Sequence, residues 1–114
     1  MKILRFEDSI AWQKSRMFVL NIYASFENIK DYSFKDQIQR AAVSVMNNIA
    51  EGFERNTNKE LISFLYVAKG SCGEVRSMLY IAKSRKYISE DTFEKTVEQS
   101  EEISRIISGF IKKL

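Results

Sequence analysis

Not one proline interrupts the 114 residues of this chain, and that absence constrains the fold more than any other feature. A proline in a helix interior costs about 3 kcal/mol, because it removes a hydrogen bond and clashes with the preceding turn. Without prolines, long helices can run uninterrupted. The apolar residues recur at the three- and four-residue spacing of one helix face, and no Asn-Gly or Asp-Gly pair signals a hairpin. A hydrophobic fraction of 45% is enough for one packed core. The expectation is an all-α, single domain spanning residues 1–114, folded as an antiparallel up-down-up-down four-helix bundle.

The helices are expected over about residues 9–27, 34–55, 58–86 and 90–113. The first has Asp8 or Ser9 as N-cap and a wide stripe that includes Trp12, Phe18, Ile22, Tyr23 and Phe26. Ser33 is the expected cap of the second, with Asp36 completing a weak capping box. Asn56, in a left-handed conformation, is expected to end it. Thr57 and Glu60 form a capping box for the third helix, after a connection so short that the two helices must be antiparallel. Ser89 caps the fourth, with Glu90 and Asp91 at the positive end of its dipole.

The stretch "VMNNIAEGFER", residues 45–55, places Asn47, Asn48 and Gly52 where a helix would not choose them. Yet the apolar period from Phe34 through Val45 and Ile49 to Phe53 passes straight through it without a phase break. The helix therefore continues. Asn47 and Asn48 are read as making buried hydrogen bonds to a neighbouring helix or loop, and Glu51 and Arg55 as an i,i+4 ion pair.

All four glycines, Gly52, Gly70, Gly73 and Gly109, fall within helical pattern. Each costs about 1 kcal/mol against alanine, so something should offset them. Gly70 and Gly73 could mark a tight spot inside the subunit. Alternatively, the second face of the third helix, with Tyr66, Gly70, Gly73 and Tyr80, docks on another copy. The first helix carries a second apolar patch at Met17 and Leu20 that an isolated subunit does not need. These six residues form the expected interface of a homo-oligomer.

Catalytic chemistry finds little support. The chain has one cysteine and no histidine, which removes the usual ligands of zinc, iron–sulfur and haem and any histidine-based triad. "KGSCGE" matches no phosphate-cradling loop. Cys72 lies in the main apolar stripe, where a buried inert thiol is expected. The expectation is a protein that is not an enzyme, with no cofactor and no metal. No apolar run approaches the roughly 20 residues needed to span a bilayer, and the N-terminus lacks a signal peptide's apolar segment. A cytoplasmic protein with no membrane partner is expected.

Charge points elsewhere. Residues 1–86 carry 14 basic and 9 acidic side chains, whereas residues 87–114 carry 4 and 6. A mild basic bias permits an RNA or DNA partner. Arg40, Arg55, Lys59, Lys69 and Arg76 lie on or near the non-core sides of the central hairpin and are the candidate phosphate contacts. The alternative is a protein-interaction or scaffold module that works through exposed tyrosines and small residues.

"FEDSIAWQKSR" followed by "QIQRAAVSVMNNIAEGFERNTNKELISFLYVAKGSCGEVRSMLYIAK" resembles the bacterial four-helix bundle proteins encoded in intervening sequences of large-subunit rRNA genes. The likeness is most specific in "RAAVSVMNNIAEGFER", and Trp12 and Gln13 match the family's tryptophan–glutamine pair. Met46 stands where the family commonly has proline. The resemblance implies a bundle that assembles into a ring, a homopentamer. It also implies kinship with the accessory variability protein of diversity-generating retroelements, a basic pentamer that binds nucleic acid. Arg40, Asn48, Glu51, Gly52 and Arg55 match the family motif and could serve subunit packing or ligand binding.

Overall fold

A computed structural model describes residues 5–114, which form a short 3-10 turn at Phe6–Asp8 and four helices: α1 Ile10–Phe26, α2 Tyr32–Phe53, α3 Asn58–Ser84 and α4 Glu90–Lys112. The architecture is the expected four-helix bundle. Among the described residues, α1 and α3 each pack against α2 and α4, while α1 and α3 occupy opposite corners with no close backbone approach. The core is drawn from all four stripes; Phe18, Phe26, Ile49, Leu65, Leu79 and Ile107 are fully buried. Tyr23, expected in the α1 stripe, is instead exposed at its edge.

The tryptophan–glutamine pair fastens the 3-10 turn to α1. Gln13 Nε2 donates to the Glu7 carbonyl at 2.8 Å, and the Trp12 ring meets Phe6 edge-on with centroids 5.1 Å apart. α2 starts two residues before the sequence suggests. Its cap is Asp31, not Ser33: one carboxylate oxygen accepts the Phe34 N–H at 3.2 Å, and the other accepts the Tyr87 hydroxyl at 2.7 Å. Those two hydrogen bonds, the tyrosine's first, hold the Asp31 carboxyl below its ordinary pKa. Asp36 is left to pair with Arg40 at 2.7 Å.

α2 also ends early, at Phe53, in a tight turn closed by bonds from Glu54 N to Glu51 O and Arg55 N to Gly52 O. Arg55 thus lies beyond the helix and loses the i,i+4 register with Glu51. Its guanidinium lies over the Phe64 ring, 4.7 Å from the centroid. Asn56 does not adopt a left-handed conformation; among the described non-glycine residues only Lys86 does, with φ 61°. The caps of α3 and α4 are as expected, with Thr57 Oγ1 accepting Glu60 N and Ser89 Oγ accepting Thr92 N, each at 3.1 Å.

Lys86 closes α3 in a Schellman motif: Tyr87 N donates to Ala82 O at 2.8 Å and Lys86 N to Lys83 O at 3.0 Å. Glycine fills such a position without a Cβ penalty. Lys86→Gly is therefore expected to stabilise the bundle by roughly 0.5–1 kcal/mol, read as a raised urea midpoint at unchanged slope.

The stretch at residues 45–55 meets α3 closely. Gly52 is buried, and a Cβ built there would lie 2.8 Å from Leu61 Cδ1 and 3.1 Å from Phe64 Cβ. One to two turns earlier, Asn48 does not reach a neighbouring helix or loop as expected: its Nδ2 donates within α2, to the Ser44 carbonyl at 2.8 Å and to Ser44 Oγ at 2.9 Å, and Asn47 is exposed rather than buried. Ser44 Oγ in turn meets Ser71 Oγ of α3 at 2.9 Å. Small and polar groups here let two helices approach and satisfy the polar atoms that approach buries.

Candidate nucleic-acid interface

The five candidate basic residues do not form one surface. Arg40 is exposed midway along α2 and is paired with Asp36. Arg55 and Lys59 flank the α2–α3 turn, with Arg55 held against Phe64. Lys69 and Arg76 belong together. They share a cleft of about 520 Å³ between α3 and α4, lined also by Arg105, Lys112, Ser104, Ser108, Gly109 and Glu101.

The cleft's charge follows from helix register. Lys69 and Arg76 are seven residues apart on α3, and so are Arg105 and Lys112 on α4. Seven residues are two turns, which keeps each pair on one flank about 10.5 Å apart along the axis. Four cationic groups thus face one carboxylate. Among the described residues, none of the four cations makes an ion pair. Arg105 and Lys112 escape a reading of the sequence because they sit in its net-acidic segment. Their seven-residue spacing, matching that of Lys69 and Arg76, is the signal that could have found them.

A second cleft, between α1 and α4, is built differently. Asp91, Glu98 and Glu102 outnumber Lys95 and Arg105, the latter shared with the α3–α4 cleft, around Asn21, Ser25 and Gln99. Lys95 is paired with Asp91 at 3.4 Å and Lys14 with Glu102 at 3.5 Å. With one carboxylate in excess, this cleft repels a polyanion rather than attracting one.

The expected interface residues lie on two outer faces. Met17 and Leu20 on α1 are 53% and 51% exposed, and Tyr66 and Tyr80 on α3 are 58% and 55% exposed. Ile10 continues the α1 patch, as Ile81 does on α3. Gly70 and Gly73 are no tight spot within the subunit, because a Cβ built at either meets nothing within 4 Å. The same holds for Gly109. The steric reason for a helical glycine that the subunit supplies at Gly52 is missing at these three.

Cys72 is fully buried and its thiol donates to the Ser100 carbonyl at 3.0 Å. Burial, the largest effect, pushes the thiol up to about 11 from its ordinary 9.0, so it stays protonated and unreactive at neutral pH. Above pH 9.0 the unfolded chain would release this proton while the folded chain keeps it, so stability must fall as pH rises from 9.0 towards 11. Between about pH 8 and 10.5, the wild type should lose roughly 2 kcal/mol more than Cys72→Ala in urea unfolding. Among the described residues, no three potential metal ligands come together. Among the described residues, no helix is long and apolar enough to cross a membrane.

Residues 7–109 match the family described as 23S rRNA-intervening sequence protein. The chain belongs to this family. For a 23S rRNA-intervening sequence protein the motif "RAAVSVMNNIAEGFER" now has a partial structural explanation: Gly52 allows the close approach of α3, and Asn48 holds Ser44, whose hydroxyl meets Ser71 of α3. The fold is shared with a crystal structure from Bacteroides thetaiotaomicron, a protein with unknown function from the S23 ribosomal protein family. That match has a TM-score of 0.86 at 23% identity and covers 90% of this chain and 99% of the other. No match was found among curated proteins.

Proposed function

We propose that this 23S rRNA-intervening sequence protein is a non-enzymatic, cytoplasmic homo-oligomer that binds RNA or DNA through its basic surface. The observation that carries the reading is the set of four cationic groups gathered in the α3–α4 cleft, none of them ion-paired among the described residues. A phosphate backbone is the ligand such a set fits, because ionic contact with phosphates supplies most sequence-independent affinity for nucleic acid.

Assembly is supported by the two outer faces. Large side chains project from α1 at Met17 and Leu20, and α3 offers a hollow at Gly70 and Gly73 between Tyr66 and Tyr80. They lie on opposite corners of the bundle, so the ridge of one copy seats on the hollow of the next. A contact between unlike faces is head-to-tail and closes into a ring when the rotation permits; the family resemblance suggests a pentamer. A ring presents several clefts at once, and multivalency raises affinity without new contacts.

Fluorescence titration with RNA across a salt series tests the binding. Affinity that falls steeply as salt rises is expected, and no retention at low salt would overturn the reading. A second reading, a protein-interaction module, rests on the exposed Tyr66 and Tyr80, since tyrosine is enriched at protein interfaces. Capture of one protein partner, unaffected by nuclease, would favour it.

A further inference from the structure

The α3–α4 cleft has a shape as well as a charge. Its two banks are adjacent helices, and packed helices lie only about 8–10 Å apart axis to axis. The cleft is open rather than deep, with Lys69 and Arg76 on one bank and Arg105 and Lys112 on the other. A rigid duplex meets such a group only where one of its backbones passes over it, whereas a flexible single strand can bend its phosphates to all four cations. Where the cleft is lined by Gly109, a side chain would meet nothing within 4 Å, so the missing Cβ leaves open space. Ser104 and Ser108 add hydroxyl donors suited to phosphate oxygens.

The cleft is also defined by what does not line it. No aromatic residue is among its lining residues, and the exposed Tyr66 and Tyr80, one turn beyond Lys69 and Arg76 on α3, belong to the face assigned above to subunit contact, which leaves the cleft without its own platform for stacking bases.

Resting on the nucleic-acid reading above, we infer that the α3–α4 cleft is a binding site for single-stranded nucleic acid, held by its phosphodiester backbone through Lys69, Arg76, Arg105 and Lys112 with no discrimination among bases. Four phosphate contacts on a single strand give a slope of log affinity against log salt of about −2.8 per copy. Affinity should then fall about 50-fold between roughly 50 and 200 mM salt.

The test uses the full chain and fluorescence anisotropy, with labelled oligo(U), labelled oligo(A) and the duplex of the two as probes. Both single strands are expected to bind within a few-fold of each other and at least about tenfold more tightly than the duplex. Arg76→Gln/Arg105→Gln should halve the slope to about −1.4 per copy. Arg40→Gln/Lys59→Gln, which removes two cations outside the cleft, should leave it unchanged. Inorganic phosphate at equal total phosphate should not displace the strand. Thermal melts by circular dichroism establish that both variants are folded; if the cleft pair is not, Lys69→Gln and Lys112→Gln, taken singly, should each reduce the slope by about 0.7.

Tighter binding of the duplex, or a strong preference for one base, would overturn the single-strand inference. So would ready displacement by inorganic phosphate, which would make the cleft a site for the free anion. Loss of binding in Arg40→Gln/Lys59→Gln but not in the cleft variants would overturn the site while leaving nucleic-acid binding intact. If none of the three probes binds at low salt, the broader reading falls as well.

Discussion

Gly52→Ala is expected to destabilise the bundle by roughly 1–2 kcal/mol, although alanine is the better helix former by about 1 kcal/mol. The new methyl would lie 2.8 Å from Leu61 Cδ1 and 3.1 Å from Phe64 Cβ. The leucine methyl can swing aside at little cost. The phenylalanine Cβ is fixed to the α3 backbone, so α2 and α3 must part slightly along their contact. Gly52→Val, with two further methyls in the same place, should cost about 3 kcal/mol or more. At Gly70, Gly73 and Gly109, where nothing lies within 4 Å, the change to alanine should stabilise an isolated subunit by up to about 1 kcal/mol each. Urea unfolding of the four alanine variants reads the contrast directly. With each variant carried in a Leu20→Glu background that keeps the subunits single, a loss at Gly73 comparable to that at Gly52 would mean the outer face of α3 is already packed within the subunit.

Leu20→Glu and Gly73→Leu are each expected to break the assembly into single copies. In the proposed ring, the first would bury an unpaired carboxylate at the α1 ridge, which costs several kcal/mol. The second would fill the hollow that the ridge is proposed to enter. Mixing the two variants gives a sharper result. Leu20→Glu keeps an intact α3 face and Gly73→Leu an intact α1 face, so the mixture should form a one-to-one dimer through a single sound junction. A symmetric interface, in which each copy uses the same patch, would give no such rescue. Sedimentation of each variant alone and of the mixture distinguishes the two arrangements.

What the chain reveals before its structure is known follows from how local each determinant is. The helices, the Thr57 and Ser89 caps, the continuity of α2 through Asn47 and Asn48, and the burial of Cys72 depend on residues within a turn or two of one another. The determinants that were missed are not local. Asp31 displaces Ser33 as a cap at the same place where it receives the Tyr87 hydroxyl from 56 residues away. Arg55 turns from Glu51 to the ring of Phe64, on the next helix. Lys86 takes a left-handed conformation that its side chain gives no reason to expect. The basic cleft depends on the register between α3 and α4, which brings Arg105 and Lys112, from an acidic stretch of sequence, opposite Lys69 and Arg76. Outer faces are legible in part: too many apolar and small residues for one bundle can be counted, but which of them the subunit itself covers cannot.

Both the ring and the multivalent binding built on it require that the Met17–Leu20 ridge and the Gly70–Gly73 hollow be covered in solution. Static light scattering of the purified wild-type chain, coupled to size exclusion and repeated over a wide range of concentration, reads this most directly. A single species with the mass of five copies of the 13.3 kDa chain is expected, and it should persist on dilution. A monodisperse 13.3 kDa particle at high concentration would contradict it, leaving both faces exposed to water.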